Sequence, residues 1–373
     1  MSKAATSLSI AVDAMGSDMG PEEVVGAVAM ALTNKWIHEK VVLVGQEETV
    51  RPIADKLGIA DHPKLEFFQA SEVIGMQEKP IQSLKSKKDA SLVRAVELVK
   101  EGKCGAAVSC GNTGSLMACS TLKLRPIDGV SKPALASVWP SLKGKFVVLD
   151  VGANPQCRPE NLLHYAILGN QYAQDALGIE KPRVGLLSIG TEEGKGTDLT
   201  NQAHTLLKDI AGQINYIGLI EGFQVFNDEV DVVVTDGFTG NVLLKSCESL
   251  WRMLKELVSE EVRKSPVRMA GALLMKGSLK SMKGRLDPKQ FGGAPLLGLK
   301  GTVLKAHGSS DRVAIANAIR IAGVAIEHNL VSHTVSAIAS ANEALADKLT
   351  ASIDIESSSS AFLQTLTLTE GNH

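Results

Sequence analysis

The stretch Val184–Leu199, VGLLSIGTEEGKGTDL, decides the fold. Its first part, Val184 to Ile189, is a short apolar run with the length and composition of a buried strand. A polar loop with three glycines around Lys195 follows, and a helix is predicted to begin near Asp198. A strand that passes through a glycine-bearing loop into a helix is the repeating unit of parallel α/β sheets.

The loop itself predicts a site for a small anion, with phosphate favoured. Glycines let the backbone turn its N–H groups toward a ligand, the helix start adds partial positive charge, and Lys195 adds a mobile full charge. A nucleotide P-loop needs four residues between its first glycine and the Gly-Lys pair, and then Ser or Thr. Here three residues separate Gly190 from Gly194, and Gly196 follows the lysine, which disfavours ATP or GTP. A tight strand-to-helix connection without a ligand is the alternative.

The same pattern of an apolar run, a small polar loop and a helix occurs five times along the chain. Strands are predicted over Ile10–Val12, Val41–Val44, Leu65–Gln69, Gly105–Ser109, Phe146–Leu149, Asp231–Thr235 and Thr302–Ala306. This recurrence predicts βαβ units in a mostly parallel sheet, where ligands bind beyond the carboxyl ends of the strands. We therefore expect one rim to carry Asn112, Asn154, Lys195, Asn241 and His307. Each has a structural alternative, because asparagines often cap helices and a lone histidine is more often structural.

Composition narrows the class of protein. The 373 residues are 44% hydrophobic with a net charge of −2, which allows a large core and argues against wholesale nucleic-acid binding. Five cysteines without C-x-x-C spacing indicate reduced thiols rather than disulfides or zinc. Neither a secretion signal nor an apolar run near the ~18 residues of a spanning helix is visible, so we expect a cytoplasmic protein.

The segment Trp251 to Gln290 is the exception to the βα pattern. It predicts an amphipathic helical arm, broken at Pro266, and between Arg263 and Arg285 it contains seven basic residues and no acid. The basic residues are Arg263, Lys264, Arg268, Lys276, Lys280, Lys283 and Arg285. Such an arm suits an anionic membrane surface or an acidic protein partner, and the alternative is packing against a second subunit. The Ser- and Thr-rich tail, 352–373, is predicted to be disordered.

Eight motifs, in order, resemble the bacterial acyl-carrier-protein:phosphate acyltransferases of phospholipid synthesis. They are IAVDAMGSDMGP, KKDAS, VSCGNTGSLMA, LDVGANPQCRPENL, IGTEEGKGTDL, DVVVTDGFTGNVLLK, FGGAPLLGLKG and AHGSSDRVAIANAIR. Together they span nearly all of Ile10 to about Leu345. One departure is Gly114-Ser115, where the family usually has Gly-Ala.

The resemblance implies transfer of a long-chain acyl group from acyl-acyl-carrier protein to inorganic phosphate. The acyl phosphate would feed a membrane-bound glycerol-3-phosphate acyltransferase. The implied fold is a three-layer α/β/α sandwich related to phosphotransacetylases and isocitrate dehydrogenases, usually dimeric. A helical projection would attach the enzyme peripherally to membranes. We expect a catalytic domain over 8–345 with the arm 251–290 inserted in it.

Direct attack of phosphate on the thioester needs positioning and oxyanion stabilisation rather than a protein nucleophile. No G-x-S-x-G elbow, Cys–His signature or metal-ligand spacing is visible, so neither a cofactor nor a metal is expected. In this hypothesis Lys195 and the N–H groups of Gly194 and Gly196 hold phosphate. Asn241 orients phosphate or the thioester, and His307 protonates the leaving thiolate. Further candidate binding residues are Asn112, Thr113, Gly114, Asn154, Lys87 and Lys88.

Three other functions stay open at this point. A phosphotransacetylase-like enzyme would use coenzyme A and a short acyl group, and would not need a basic arm. A nicotinamide-dependent decarboxylating dehydrogenase would need a dinucleotide fingerprint and clustered acidic metal ligands, and neither is visible. A non-catalytic membrane adaptor would keep the arm but has no use for five polar loops at strand ends.

Overall fold

Strands and helices alternate along residues 8–286 and 293–348, which the computed structural model describes. The strands are β1 (Ser9–Asp13), β2 (Val41–Gly45), β3 (Leu65–Gln69), β4 (Cys104–Ser109), β5 (Ala134–Pro140), β6 (Lys145–Leu149), β7 (Arg183–Leu187), β8 (Asn215–Ile220), β9 (Val232–Val234), β10 (Ala294–Leu297) and β11 (Thr302–Lys305). The helices are α1 (Pro21–Thr33), α2 (Glu47–Lys56), α3 (Pro80–Ser86), α4 (Ser91–Lys100), α5 (Thr113–Leu124), α6 (Pro159–Leu177), α7 (Asp198–Asp209), α8 (Gly237–Arg263), α9 (Pro266–Leu274), α10 (Lys276–Leu286) and α11 (Arg312–Glu327). A further helical segment covers 330–348. The predicted tail lies outside the described residues.

The strands form one sheet in the order β3-β2-β1-β4-β11-β10-β5-β6-β9-β7-β8. Successive side chains of a strand point to opposite faces of the sheet, so apolar strands expose apolar side chains on both faces. Helices cover both of these faces. In β1, Ile10 and Val12 pack under α1, α2 and α11, whereas Ala11 faces α4 and α5. In β6, Val147 and Leu149 pack against α6 and α7 on one face. The result is the predicted three-layer α/β/α sandwich.

Sheet polarity corrects one prediction. The strands from β3 to β11 are parallel to each other, and so are β6, β9, β7 and β8. Between these halves, β10 pairs antiparallel with β11 and β5, and β5 pairs antiparallel with β6. Three successive reversals make the two halves run in opposite directions. The prediction that all five polar loops lie at one edge of the sheet is therefore wrong.

The reversal nevertheless brings two carboxyl strand ends close together in the middle of the sheet. Lys305, the last residue of β11, pairs with Ala294 of β10. On the other side, Leu149, the last residue of β6, pairs with Ala136 of β5. Only β10 and β5 separate these two ends. The candidate site lies over this central part of the sheet.

The predicted arm is helical, but its first helix is longer than expected. α8 begins at Gly237, directly after β9, and continues without a break to Arg263. Its buried residues are Gly237 and Gly240, so most of the helix stands away from the core. Ser265 caps α9, whose first residue is Pro266, and α10 follows. The predicted start at Trp251 therefore falls inside α8, and residues 287–290 of the prediction lie outside the described chain.

Candidate active site

A cleft of about 670 Å³ lies between α8, β5 and the carboxyl end of β11. We call it the central cleft. Its polar lining residues include Thr113, Ser137, Asn241, Lys245, Glu248, Lys305, His307, Ser309 and Ser310. Gly152 also lines it, so four of the five predicted loops contribute: those of Asn112, Asn154, Asn241 and His307. Enzyme sites commonly combine such a concave shape with a few convergent polar groups.

One face of α8 forms a wall of the central cleft. Asn241, Leu244, Lys245, Glu248 and Trp251 all line it, at the spacing of one helix face. Ten residues of α-helix separate the first from the last, a length of about 15 Å. α8 thus runs from the end of β9 across the sheet and carries Lys245 to His307, which belongs to the other half. This explains how loops from two half-sheets that run in opposite directions share one cleft.

The N-terminus of α8 is held against the loop after β6. Asp150 is fully buried, and its carboxylate accepts hydrogen bonds from the N–H groups of Leu135 (3.0 Å), Ala153 (2.9 Å) and Asn154 (2.6 Å). A Cβ built on Gly152 would lie 3.5 Å from the Asn241 side chain, so the two residues are neighbours. Glycine suits position 152 because its φ is +134°, which other residues rarely adopt. This loop therefore fixes where Asn241 meets the cleft.

His307 lies at the mouth of the cleft with one ring nitrogen engaged. Its Nδ1 accepts a hydrogen bond from the Ser309 N–H at 3.3 Å and lies 2.9 Å from the Ser309 hydroxyl. An accepting Nδ1 places the proton of a neutral imidazole on Nε2. Desolvation, followed by the charges of Lys245 and Lys305, lowers the pKa of His307. At neutral pH the ring is therefore uncharged and can donate from Nε2.

The rest of the cleft wall is apolar. Trp139 at the end of β5 packs on Phe226 with ring centroids 5.9 Å apart, and Phe146 completes this aromatic cluster. Leu244 and Trp251 face the cleft from α8. A cavity with cationic and amide groups beside aromatic and aliphatic walls can hold a molecule with a polar reacting end and an acyl chain.

Several predicted binding side chains make internal contacts. Asn112 caps α5 through the Ser115 N–H at 2.9 Å and donates to the Met76 carbonyl at 2.7 Å. Asn154 donates to the carbonyl of Pro133 and to the hydroxyl of Tyr165. Lys87 donates to the Val73 carbonyl at 2.7 Å and pairs with Glu78 at 2.6 Å. These contacts are the structural alternative stated for the asparagines.

The other predicted residues of this group differ in exposure. Thr113 lines the cleft, whereas Lys88 is exposed on the surface. A Cβ on Gly114 would lie 2.7 Å from Pro80, so this glycine allows α5 to pack closely against α3.

The glycine-rich loop around Lys195 ends where the sequence predicts, because α7 begins at Asp198. Thr197 caps α7 through the Thr200 N–H at 3.2 Å, and Gly194 and Gly196 have φ values of +87° and +106°. Lys195 is exposed and pairs with Glu192 at 2.9 Å. The loop follows β7, which is the neighbour of β9, but Lys195 is outside the lining of the central cleft. Its role in phosphate binding stays a prediction.

The basic residues of the arm fall into two groups. Lys264 and Arg268 pair with Glu261 of α8, the latter at 2.6 Å, so acidic residues before the run partly neutralise it. Arg263, Lys276 and Lys280 are exposed, and the side chain of Lys283 lies outside the description. Large apolar residues are exposed beside them: Val267, Leu273, Leu274 and Met275 have exposed fractions of 80%, 70%, 89% and 57%.

Four features of the cleft are not predicted from the sequence: Lys305, Lys245, Glu248 and the aromatic wall. Lys305 is 8% exposed although it lines the cleft, and Lys245 pairs with Glu248 at 2.9 Å. A signal for Lys305 was present, since a lysine ends the otherwise apolar strand TVLK. Nothing in the sequence indicated the aromatic wall, because Phe226 and Trp251 are far from Trp139 along the chain.

The cysteines are unsuited to nucleophilic attack. All five are free, and burial raises the pKa of Cys104, Cys110 and Cys119 to about 12. Desolvation also raises the pKa of Cys247, which lines the cleft. A protonated thiol is a poor nucleophile.

Within 8–286 and 293–348, no group of three or more His, Cys, Asp or Glu side chains is arranged to hold a metal ion. In the same residues, no helix is long and apolar enough to cross a membrane.

Solved structures define the class of fold. A phosphotransacetylase from Streptococcus pyogenes superposes with a TM-score of 0.61 at 17% identity, covering 87% of this chain and 95% of that one. A phosphotransacetylase from Staphylococcus aureus gives 0.57 at 16% identity, covering 86% and 94%. The chain therefore has the phosphotransacetylase fold.

Sequence relatives define the family. A family profile described as "Fatty acid synthesis protein" matches residues 8–333. The phosphate acyltransferase of Heliobacterium modesticaldum is 43% identical over 324 residues, which cover 87% of this chain and 95% of the relative. That of Campylobacter jejuni is 42% identical over 312 residues, covering 84% and 92%. The chain belongs to the phosphate acyltransferase family, and it is an acyltransferase.

Proposed function

We propose that this chain transfers a long-chain fatty acyl group from acyl-acyl-carrier protein to inorganic phosphate, with the central cleft as the reaction site. The observation that carries the proposal is the composition of this one cleft. Asn241, Lys305 and His307 provide an amide, a cation and a neutral imidazole, and Trp139 and Trp251 provide apolar walls. These groups suit a phosphate and a thioester carbonyl at one side and an acyl chain at the other.

The proposed reaction is a single displacement. An oxygen of HPO₄²⁻ attacks the thioester carbon and forms a C–O bond, and the carbonyl oxygen becomes a transient oxyanion. The C–S bond then breaks, and the thiolate takes the proton that the phosphate brought. The products are acyl phosphate and the thiol of the carrier protein. No protein nucleophile takes part, which agrees with the raised pKa of Cys247 in the cleft.

Two side chains are assigned roles in this step. Asn241 orients phosphate or donates to the thioester oxygen from the first turns of α8. His307 donates from Nε2 to the oxyanion or relays the proton to the leaving sulfur. A neutral imidazole suits both tasks, because it can donate and then accept a proton near neutral pH. The phosphate role of Lys195 and its glycines needs the loop after β7 to reach the cleft.

The decisive experiment supplies purified protein with long-chain acyl-acyl-carrier protein and phosphate, without added metal, and measures acyl phosphate. We expect acyl phosphate from the wild type, and losses of at least tenfold in Asn241→Ala and His307→Ala. Lys300→Met, on the exposed Lys300–Asp128 pair, is the control and keeps wild-type turnover. Use of short-chain acyl coenzyme A in place of the carrier protein would favour the phosphotransacetylase-like alternative. A trapped acyl-enzyme would contradict direct attack.

The arm adds a proposed location and partners. Exposed Leu273, Leu274 and Met275 lie next to Lys276 and Lys280, which suits peripheral binding to an anionic membrane. Binding there would place the acyl phosphate next to a membrane glycerol-3-phosphate acyltransferase. Because the carrier protein is acidic, the same lysines can also attract it. The proposed organisation is thus a catalytic domain over 8–345 with an inserted arm.

We also propose a homodimer that buries part of α8. Val242, Leu250, Met253 and Leu257 are about half exposed. They form a stripe on the side of α8 opposite Leu244, Glu248 and Trp251, which line the cleft. An exposed apolar stripe of this length commonly marks a protein interface. A second copy of α8 would cover it without closing the central cleft.

A further inference from the structure

Lys305 is a buried cation in the wall of the central cleft. It ends β11, and its side chain lies among Cys110, Ala306 and His307 with only 8% of the residue exposed. Removing an ammonium from water costs several kcal/mol unless charged or polar partners replace the lost hydration. Its partners therefore show what the position is built for.

The partners that the structure provides are neutral. The Lys305 Nζ donates to the carbonyl oxygen of Cys110 at 3.2 Å and to the carbonyl oxygen of Ala306. An ammonium has three N–H donors, so one remains after these two bonds. Across residues 8–286 and 293–348, no carboxylate lies within ion-pair distance of this ammonium. Asp13 and Asp18 act on it only from longer range.

One of these carboxylates, Asp13, is already engaged in hydrogen bonds. Asp13 accepts a hydrogen bond from the Ser109 hydroxyl at 2.6 Å and from the Met15 N–H at 3.2 Å. Burial raises the pKa of Asp13, which disfavours a full negative charge beside Lys305. The positive charge of Lys305 is therefore not neutralised by an ion pair, and the residue lines the cleft. Thr113 lines the same cleft at the start of the twelve-residue helix α5.

We propose that the Lys305 ammonium binds the inorganic phosphate that accepts the acyl group, at a site formed by the end of β11 and the start of α5. This inference rests on the proposed function and names the phosphate position within the same cleft. The N–H groups at the start of a helix and the Thr113 hydroxyl add neutral donors for phosphate oxygens. Lys245 lines the cleft as well, but Glu248 neutralises it at 2.9 Å.

The charge state of Lys305 supports the same position. Burial lowers the pKa of Lys305 to about 8, while Cys110, Asp13 and Asp18 oppose that shift. The group is thus mostly charged at neutral pH and loses its charge just above it. Other titratable groups facing this region are His307, Lys245 and Glu248. Phosphate affinity should fall as the pH rises through about 8, because an uncharged amine no longer attracts a dianion.

The test compares Lys305→Met with the wild type and with Lys300→Met. Methionine keeps the unbranched shape and removes the charge, and replacing a buried charge by an apolar group is often compatible with folding. Circular dichroism and melting temperature check the fold. Isothermal titration with inorganic phosphate alone then measures binding without an acyl donor, and steady-state assays vary phosphate and acyl donor separately.

We expect phosphate binding by Lys305→Met to weaken at least tenfold and to lose its dependence on pH between 7 and 9, while the KM for the acyl donor changes less than twofold. If Lys305→Met lowers kcat but leaves phosphate binding unchanged, the lysine is structural and the inference is overturned. If the variant unfolds, Lys305→Arg, which keeps the charge, decides: normal phosphate affinity supports the inference, and weak affinity overturns it. If the wild type binds phosphate through Lys305 but makes no acyl phosphate, the proposed function fails and the phosphate site stands.

Discussion

Gly240 of α8 lies directly against the backbone carbonyl of Asp150. A Cβ built on Gly240 would overlap the Asp150 carbonyl oxygen, and one built on Gly237 would lie 2.7 Å from the Asn154 carbonyl oxygen. Two glycines one helical turn apart thus let α8 press its N-terminus onto the loop after β6. Since the next residue, Asn241, lines the cleft, this contact sets the cleft geometry.

Gly240→Ala should therefore reduce both stability and activity. The added methyl group forces α8 away from the Asp150 loop, and overpacking of this kind costs about 1–3 kcal/mol. We expect a lower urea midpoint and at least tenfold less acyl phosphate. Gly271→Ala is the matched control, because a Cβ there meets open space and alanine favours a helix by up to about 1 kcal/mol. Equal stability and turnover of the two variants would show that the contact is unimportant.

Most strands of the parallel half-sheets could be predicted from sequence because they carry apolar runs, whereas the parallel strand β8, NYIGLI, was not predicted. β3 was predicted with its observed bounds, and the strand before Lys195 was predicted within two residues of its end. β5 and β10, which reverse the sheet, were not predicted. ALASVWP and APLL both contain proline, and their strand character comes from the neighbours that they pair with.

The candidate site was predictable only where a loop carried its own signal. Asn241 and His307 follow predicted strands, and both line the cleft. Lys195 has the strongest local pattern but lies outside the lining. Its strand β7 lies two positions further from the middle of the sheet than β6, and a loop pattern contains no information on strand order. Lys305 was missed for the opposite reason: its importance comes from burial and from the lack of a carboxylate partner among the described residues, which only tertiary packing creates.

Asp231 should make stability depend on pH. Arg183, the first residue of β7, donates from its guanidinium to both carboxylate oxygens of Asp231 at 2.9 Å each. The backbone N–H of Arg183 donates to one of the same oxygens at 2.8 Å. Burial raises the pKa of Asp231, but the Arg183 hydrogen bonds and charge outweigh it and hold the pKa below its ordinary value. A carboxyl with a lowered pKa in the folded state stabilises above its unfolded pKa, and this contribution is lost as the pH falls through the folded pKa.

We therefore expect Asp231→Asn to lose about 1.5–3 kcal/mol of unfolding free energy at pH 7, the usual range for hydrogen bonds to charged groups. The difference from the wild type should shrink as the pH falls below 4, measured by urea unfolding at several pH values. Glu66→Gln, in the half-exposed Lys40–Glu66 pair, should cost only about 0–1 kcal/mol. A pH-independent loss in Asp231→Asn would mean that packing, and not charge, is responsible.

Lys195→Ala tests the loop after β7. If the loop reaches phosphate during turnover, the variant should lose most of its turnover and need more phosphate, while its melting temperature stays unchanged because Lys195 is exposed. Lys208→Ala is the control, since Lys208 is similarly exposed and pairs with Glu193 of the same loop. Phosphate kinetics like those of the wild type would remove Lys195 from the reaction and leave Lys305 as the cation of the site.

The arm lysines should control attachment to anionic surfaces. Changing Lys276, Lys280 and Lys283 together to Glu should weaken binding to anionic vesicles by about 3 kcal/mol or more, near 100-fold, at about 1 kcal/mol for each lysine at the membrane surface. Flotation with anionic or neutral vesicles and capture by immobilised carrier protein separate the two targets. Changing the exposed Lys56, Lys100 and Lys181 to Glu keeps the net charge matched. Unchanged binding to both targets would leave the arm with a purely structural role.

The apolar stripe of α8 should determine the oligomeric state. Leu250 and Met253 are 52% and 49% exposed in the single chain, on the helix face opposite Glu248 and Trp251. Burying a pair of carboxylates in an apolar interface is strongly unfavourable, so Leu250→Asp with Met253→Asp should convert a dimer to a monomer in sedimentation velocity. Leu273→Asp with Leu274→Asp, at the far end of the arm, should leave the dimer intact and reduce vesicle binding instead. A wild-type monomer at micromolar concentration would refute the interface, and a dimer that survives the α8 changes would place it elsewhere on the molecule.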